Sequence, residues 1–241
     1  YTLCRPVTDD PAGDSMAIDF TFSAEVEQAR QSVRDFMTNT VKARFRELRI
    51  QEDVSRDDWS ALIKSLRDEA KKRGLWLPHM PEDAGGMGLG VTALAAVAAE
   101  SAKVPYGPYI LNAHAPDEGN MHTLYHFATE YQREHYLNPL LAGEVRSCFS
   151  MTEPEVAGSD PTLIQTSAVE DGDEWVINGH KWFTSGARGA GFAIVIARTD
   201  PDAEIIVGFN KSLNKETYSE YLEKNEVLEV LNKVKTKSGD T

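Results

Sequence analysis

Cysteine is scarce in this sequence: only Cys4 and Cys148 occur among 241 residues. The two form no Cys-x-x-Cys pair and no disulfide framework, the patterns that indicate a small metal site or a disulfide-stapled secreted scaffold. We therefore expect a reducing compartment, with a cytoplasmic location as the default.

Long apolar runs and excess positive charge are also lacking. The longest run of small apolar residues, Val91 to Ala99, ends at Glu100, well short of the roughly 18 residues of a membrane span. No signal peptide is evident. The net charge of -13 and the pI of about 4.9 repel phosphate backbones and anionic lipid. We therefore expect no nucleic-acid partner and no membrane partner.

The first half of the chain has helical periodicity. Ser23 is a residue type that favours the N-cap of a helix, and from there apolar residues recur every three or four positions as far as Leu48. A second helix is predicted from Ser55 to Gly74, and an alanine-rich helix follows residue 90. A polar helix is predicted from about Thr129 to Leu141 and is stopped by Gly143. These features predict a helical domain over 18–142, preceded by a disordered leader over 1–17.

Beyond residue 142 the period changes to two, which is typical of strands. The strand predictions are Cys148–Met151, Thr166–Val169, Glu174–Asn178, Lys181–Thr184 and Phe192–Arg198, with an Asn178-Gly179 turn. Helices followed by strands predict an α+β architecture, with a second domain over 143–203.

Arginine is missing from the last 38 residues. All 13 arginines precede Ala203, whereas the lysines divide six and six about that point. We interpret residues 204–241 as an atypical tail of different origin, and we predict an amphipathic helix over Tyr218–Val234 within it.

Four stretches carry a family resemblance. They are MPEDAGGMGLG (80–90), APDEGNMHTL (115–124), PLLAGEVRSCFSMTEPEVAGSD (139–160) and DEWVINGHKWFTSGARGAGFAIVIARTDPD (173–202). From about residue 19 to about 203 the chain resembles the acyl-CoA dehydrogenases, especially the subgroup with an MTEPxVAxSD signature.

That resemblance implies a flavoenzyme of fatty acid metabolism with a helical N-terminal domain, a middle β-barrel and a C-terminal helix bundle. FAD and the acyl-CoA substrate would lie between the middle domain and the bundle. The implied reaction is α,β-desaturation of an acyl-CoA, with electrons passing to an electron-transfer flavoprotein. A homo-oligomer is expected of the complete protein.

The resemblance also implies cofactor contacts on the first β segment. Phe149, Met151 and Thr152 match the strand that runs along the flavin ring, with Thr152 as a hydrogen-bond donor. Ser159 matches a position that contacts FAD phosphate or the CoA arm of the substrate, and its Gly-Ser-Asp turn offers free amides for an anion. Core packing is the competing interpretation for Phe149 and Met151.

On the second β segment, Phe183 matches the aromatic residue that stacks on the flavin, and Ser185 matches the hydroxyl near flavin N5. Because this match can slide by one residue, Trp182 and Thr184 stay open as alternatives. Trp182 and Phe183 are predicted to point to opposite faces of a strand.

The catalytic base of the family belongs to the C-terminal bundle, so no catalytic residue is assigned and Glu153 is rejected as the base. The tail weakly resembles part of the type I mannose-6-phosphate isomerases, whose metal ligands do not occur in it. His122 and His126 have helix-face spacing for zinc, but no third ligand is evident in the sequence, and we predict no metal.

Three hypotheses result. In the first, the chain derives from an acyl-CoA dehydrogenase and is inactive alone. It then consists of a helical domain and an incomplete middle β-barrel, and the helix of the tail replaces the C-terminal bundle. Alternatively, it is a non-catalytic fragment or fusion that acts as an interaction module. The third hypothesis places a sugar-phosphate isomerase fragment in the tail.

Overall fold

The structure is a computed structural model that describes residues 21–49, 54–172 and 174–199, with the backbone of 228–229 and 232–235. The predicted leader over 1–17 and most of the predicted tail lie outside the described residues. The isomerase resemblance of the tail therefore stays a prediction.

The helical half contains eight α-helices and two π-helical turns within the described residues. The α-helices are α1 Ala24–Asp35, α2 Lys42–Arg49, α3 Arg56–Lys72, α4 Val91–Ser101, α5 Gly107–Ile110, α6 Asp117–Phe127, α7 Glu130–Gln132 and α8 Asn138–Ala142. The π-helical turns, Phe36–Val41 and Arg133–Leu137, join α1 to α2 and α7 to α8. At both junctions the helical segments follow one another directly.

Three predicted helix starts are confirmed in the structure. The Ser23 side chain accepts from the amide of Val26, and the Ser55 side chain accepts from the amide of Asp58 at 3.0 Å. Thr129 forms a reciprocal capping box with Gln132 at the start of α7. Each cap satisfies amides that the first turn of a helix leaves without partners.

One apolar core lies between these helices. Its fully buried side chains include Phe36, Leu66, Ile110, Met121 and Leu140. Full burial of such a side chain contributes about 1.5–3 kcal/mol each. The core extends to one face of the first sheet, through Phe192 and Ile194.

The strands of the described residues form three small sheets. They are β1 Ser147–Ser150, β2 Ser167–Asp171, β3 Glu174–Asn178, β4 His180–Lys181, β5 Phe192–Val195, β6 Leu228–Glu229 and β7 Asn232–Lys235. β1 pairs parallel with β5, the antiparallel order β2-β3-β7 forms a second sheet, and β4 pairs antiparallel with β6. The α+β class is confirmed, but the described strands close no barrel.

Two predictions on strands are corrected. β4 ends at Lys181 rather than at Thr184, because Phe183 adopts a left-handed φ of 51° that a strand does not accommodate. The prediction of a helix over Tyr218–Val234 is wrong for the part that the structure describes, since Leu228–Glu229 and Asn232–Lys235 are strands. The free edges of β3 and β4 offer unpaired backbone groups, and β6 and β7 pair with them.

A buried polar joint fixes β1 to the helices. The Asp117 carboxylate accepts from the Ser147 amide at 2.7 Å and from the Ser147 hydroxyl at 2.6 Å. Asn120 donates to the Ser147 hydroxyl and to the Cys148 carbonyl. Because α6 carries both side chains, it determines where β1 begins.

No described helix is long and apolar enough to cross a membrane.

Candidate functional site

Two chain segments, 150–153 and 181–184, lie side by side. The Thr152 carbonyl accepts from the Trp182 amide at 3.1 Å, and the hydroxyls of Ser150 and Thr184 share a hydrogen bond of 3.1 Å. The structure thus brings together the two stretches that the sequence singled out. They form one wall, which we call the 152/183 wall and define as Met151, Thr152 and Trp182 to Ser185.

An aromatic pair stands out on this wall. Trp182 is 37% exposed and Phe183 is 75% exposed, and their ring centroids are 4.5 Å apart at an interplanar angle of 41°. The prediction that they point to opposite faces of a strand is wrong, because β4 ends before them. Large exposed aromatic rings are costly to leave in water and are typical of sites that bind flat ligands.

Hydroxyl groups surround the pair. Thr184 is half-buried against Ser150, and the exposed Ser185 donates to the Phe183 carbonyl at 3.3 Å. Thr152 is half-buried and faces Gly158, where a Cβ would lie 3.3 Å from the Thr152 methyl group. The wall therefore combines apolar ring surface with several donors and acceptors.

The remaining predicted contacts are Phe149 on β1, Met151 just after β1, and Ser159 on a turn. Phe149 packs against the helical core from β1, as the competing core interpretation proposed. Ser159 is exposed in a turn that the hydrogen bond from the Asp160 amide to the Ala157 carbonyl closes. The Asp160 carboxylate accepts from the Thr162 amide and so caps the next turn of the chain. Met151 is half-buried at the end of β1, and its carbonyl accepts from Lys181.

A buried ion pair lies behind the wall, and sequence reasoning missed it. Lys181 is 1% exposed and Glu153 is 2% exposed, with 2.8 Å between Nζ and Oε1. The Glu153 carboxylate also accepts from the amides of Gln165 and Thr166 and from the Thr166 hydroxyl. A usable signal was Lys181 itself, a lysine within a period-two strand pattern.

The pKa values of both partners of the pair are lowered in the folded state. Burial opposes the charged form of Glu153, but the hydrogen bonds from Lys181, Thr166 and Gln165 outweigh it and lower the pKa of the carboxyl group. Burial also lowers the pKa of Lys181, against the attraction of Glu153. With its oxygens committed to four donors, Glu153 has a structural role in this geometry rather than that of an acceptor for a substrate proton.

Three residues of the 152/183 wall, Trp182, Phe183 and Ser185, are exposed, and the other three are half-buried. A cavity of about 520 Å³ lies elsewhere, against α3 in the helical half, with Trp59, Arg67, Trp76 and Tyr109 among its lining residues. It does not include any residue of the wall. The wall is the stronger candidate for a ligand site than the cavity, because exposed rings and hydroxyl groups converge there.

Histidines form a small cluster in the helical half. The ring of the buried His79 lies 5.4 Å from that of His122, which lies 6.4 Å from that of His126. The sequence did not indicate that His79 lies beside His122, because His79 belongs to the loop before α4, about 40 residues earlier in the chain. Even so, the described residues contain no group of three or more His, Cys, Asp or Glu side chains that could hold a metal ion.

Two models of protein-domain families match this chain. The model of the acyl-CoA dehydrogenase N-terminal domain matches residues 23–144, and that of the middle domain matches residues 148–215. The first match alone spans half of the chain. The chain belongs to the acyl-CoA dehydrogenase family.

Curated members of the family are longer than this chain. FadE2 of Mycobacterium tuberculosis, described as a probable acyl-CoA dehydrogenase, is 41% identical over 191 residues, which cover 77% of this chain and 46% of FadE2. Human acyl-CoA dehydrogenase family member 11 is 41% identical over 157 residues, covering 64% of this chain and 20% of that protein. The chain thus spans about half the length of the first relative and less of the second.

Solved structures of the family share the fold. A glutaryl-CoA dehydrogenase from Mycobacterium smegmatis matches with a TM-score of 0.60 at 25% identity, covering 81% of this chain and 47% of that one. An acyl-CoA dehydrogenase from Bacillus anthracis in complex with FAD matches with a TM-score of 0.56 at 28% identity, covering 79% of this chain and 32% of that one.

Proposed function

We propose that this chain supplies the helical layer and one wall of the FAD site of an acyl-CoA dehydrogenase. The observation that carries the proposal is the exposed Trp182–Phe183 pair beside the hydroxyls of Thr152, Thr184 and Ser185. The FAD complex of the Bacillus anthracis relative supports the choice of cofactor.

The residues of the wall fit a flavin in chemical type. A tricyclic ring needs a flat apolar face, which Trp182 or Phe183 offers, and donors at its polar edge, which the hydroxyls of Thr152, Thr184 and Ser185 offer. Ser159, on the exposed turn, is the proposed contact for FAD phosphate or for the CoA arm. Phe149 is a supporting residue in this proposal, because its ring packs toward the helical core.

Bound FAD would supply the electron sink for α,β-desaturation of an acyl-CoA. The residues of this chain would bind and orient the ring and hold hydrogen-bond donors at its edge. The proton acceptor for the substrate and the opposite wall of the site would come from residues beyond those described. We accordingly propose that the chain alone does not turn over, that the electron acceptor is an electron-transfer flavoprotein, and that the complete protein is a homo-oligomer.

The domain bounds are also part of the proposal. We divide the chain into a helical domain over 18–142, a partial middle domain over 143–203 and a distinct tail over 204–241. The match of the middle-domain family model continues to residue 215, which favours a later end for the middle domain.

Titration of the purified chain with FAD tests the proposal. We expect quenching of flavin fluorescence that saturates, and at least a tenfold weaker dissociation constant for the double variant Trp182→Ala/Phe183→Ala, because it removes the ring surface. Phe127→Ala is the matched control, since Phe127 is 74% exposed on α6, outside the wall. Equal FAD affinity in the double variant and the wild type would refute the assignment of the wall.

A chain that stays colourless and self-associates would instead favour the interaction-module hypothesis. Size-exclusion chromatography with absorbance at flavin wavelengths separates the two outcomes in one run.

A further inference from the structure

Lys181 occupies an unusual position for a lysine. It is almost completely buried, and its Nζ donates to the Met151 carbonyl and to the Glu153 carboxylate, both at 2.8 Å. Met151 directly precedes Thr152 in the chain, and Lys181 directly precedes Trp182. The ion pair and its hydrogen bond to Met151 therefore join the two segments at residues that belong to the 152/183 wall or directly adjoin it.

The Glu153 carboxylate also connects segment 151–153 to the residues that precede β2. Its two oxygens accept from the amides of Gln165 and Thr166, just before β2. Three pieces of chain, 151–153, 165–166 and 181, thus meet at one pair of charges. The direct backbone contact between the two segments of the wall, from the Trp182 amide to the Thr152 carbonyl, lies beside this junction.

Stability alone gives little reason for such a pair. Moving two charges out of water costs about as much as their attraction returns, and apolar replacements of similar volume are often neutral or stabilising. What an apolar pair lacks is direction: Nζ and the carboxylate fix the positions of particular carbonyl and amide groups to within hydrogen-bond geometry. Apolar side chains would hold the same strands together without defining that registration.

We propose that Lys181 is a positioning residue, whose ion pair with Glu153 holds Met151–Thr152 and Trp182–Thr184 in the relative position that the site requires. Its consequence for cofactor binding rests on the proposed function above. A displacement of about 1 Å in a site can lower a reaction rate by a factor of about 100. We expect the affinity for FAD to depend on position in a similar way, so loss of the pair should weaken FAD binding by more than the accompanying loss of stability explains.

Two variants separate positioning from simple stabilisation. Lys181→Met leaves the Glu153 charge buried without its partner and should destabilise the chain. Lys181→Met/Glu153→Gln removes both charges while nearly keeping the volumes, and it should recover part of the stability in urea unfolding, because no unpaired charge stays buried and the glutamine keeps one acceptor oxygen for the amides of Gln165 and Thr166. A merely structural pair would recover FAD affinity together with stability, whereas a positioning pair leaves the affinity about 10- to 100-fold weaker.

A readout without flavin keeps the test independent of the proposed function. With 5-fluorotryptophan incorporated, the ¹⁹F resonance of Trp182, assigned with Trp182→Phe, should shift or broaden in the double variant. The resonances of Trp59 and Trp76, in the helical half, should stay in place. An unchanged Trp182 resonance in a folded double variant overturns the proposal, whether or not the wild-type chain binds FAD.

The Lys103–Glu100 pair provides a matched control. Its Nζ–Oε2 distance is also 2.8 Å and its carboxylate is also buried, but it lies at the end of α4, in the helical half. Lys103→Met should leave the Trp182 resonance and FAD affinity unchanged. If wild-type FAD binding is absent while Trp182 responds as expected, the function fails and the positioning role stands.

Discussion

In the helical half most of the buried side chains are large and apolar, whereas in the strand region most of them are small or polar, beside a few large ones such as Ile177 and Phe192. The helical core includes Phe36, Leu66 and Met121. The two apolar clusters confined to the strand region consist of Cys148, Ala187, Ala193 and Val195, and of Ala168, Ile177 and Ala197. Buried polar groups there include Ser147, Ser150, Glu153, Thr166 and Lys181.

The difference indicates a division of labour between the two regions. Apolar packing is non-directional and scales with buried area, so it suits a layer whose task is to be stable. Hydrogen bonds and ion pairs depend on distance and angle, so they suit a region that must hold particular backbone groups in place. The 152/183 wall lies in the second region, beside Lys181 and Glu153.

The largest expected effect tests the apolar side of this comparison. Phe36→Ala removes a fully buried ring from the helical core and should lower the free energy of unfolding by about 3–5 kcal/mol, through lost transfer energy and the remaining cavity. Urea denaturation measures it. Phe127→Ala, at an exposed aromatic position on α6, should change that free energy by less than about 0.5 kcal/mol.

The next effect concerns an exception within the helical half. His79 is buried with neither ring nitrogen hydrogen-bonded, and burial, with smaller contributions from His122 and His114, lowers its pKa to about 4. Between the ordinary value of about 6.5 and 4, the unfolded chain binds the proton and the folded chain does not. Stability should therefore be complete above pH 6.5 and fall by roughly 3 kcal/mol as the pH drops to 4.

Urea unfolding at several pH values checks this. His79→Leu should lose that part of the pH dependence, while His135→Leu, at an exposed histidine, should keep it. The same slope in wild type and His79→Leu would assign the acid sensitivity to other groups.

The polar joint between the two regions should give a smaller change. Asp117→Ala removes the acceptor of the Ser147 amide and hydroxyl, leaving buried donors unpaired, and should cost about 1.5–3 kcal/mol. Glu118→Ala, at the next residue of α6, is the control for loss of a carboxylate. Hydrogen exchange should show faster exchange at Ser147 in the first variant only. Unchanged exchange there would mean that β1 is held by packing instead.

The smallest effect is local. Ser55→Ala removes the cap of α3 and should cost about 1 kcal/mol, because the Asp58 amide loses its acceptor. Ser60→Ala, inside the same helix, should be neutral or slightly stabilising, since alanine is the better helix former. Both are measured by urea denaturation, and equal costs at the two positions would contradict the role of the cap.

Much of the helical half could be predicted from sequence because its signals are local. Caps at Ser23, Ser55 and Thr129, and apolar residues every three or four positions, involve neighbours within one turn of helix. The strand over Glu174–Asn178 was predicted with the observed bounds for a similar reason, as its alternation is flanked by turn residues. The prediction of a helix in the tail failed because β6 and β7 pair with β4 and β3, more than 40 residues earlier in the chain. Amphipathic spacing contains no information about such distant pairing.

The sequence by itself determined the family and the α+β class, since each is encoded in residue order or in patterns a few residues long. Only the tertiary structure decided that Trp182 and Phe183 are both exposed, that Phe149 packs toward the helices, and that Lys181 meets Glu153. These outcomes depend on where β4 ends and on which distant groups share a buried space. Burial and hydrogen-bond partners are properties of the assembled chain, and no short window of sequence contains them.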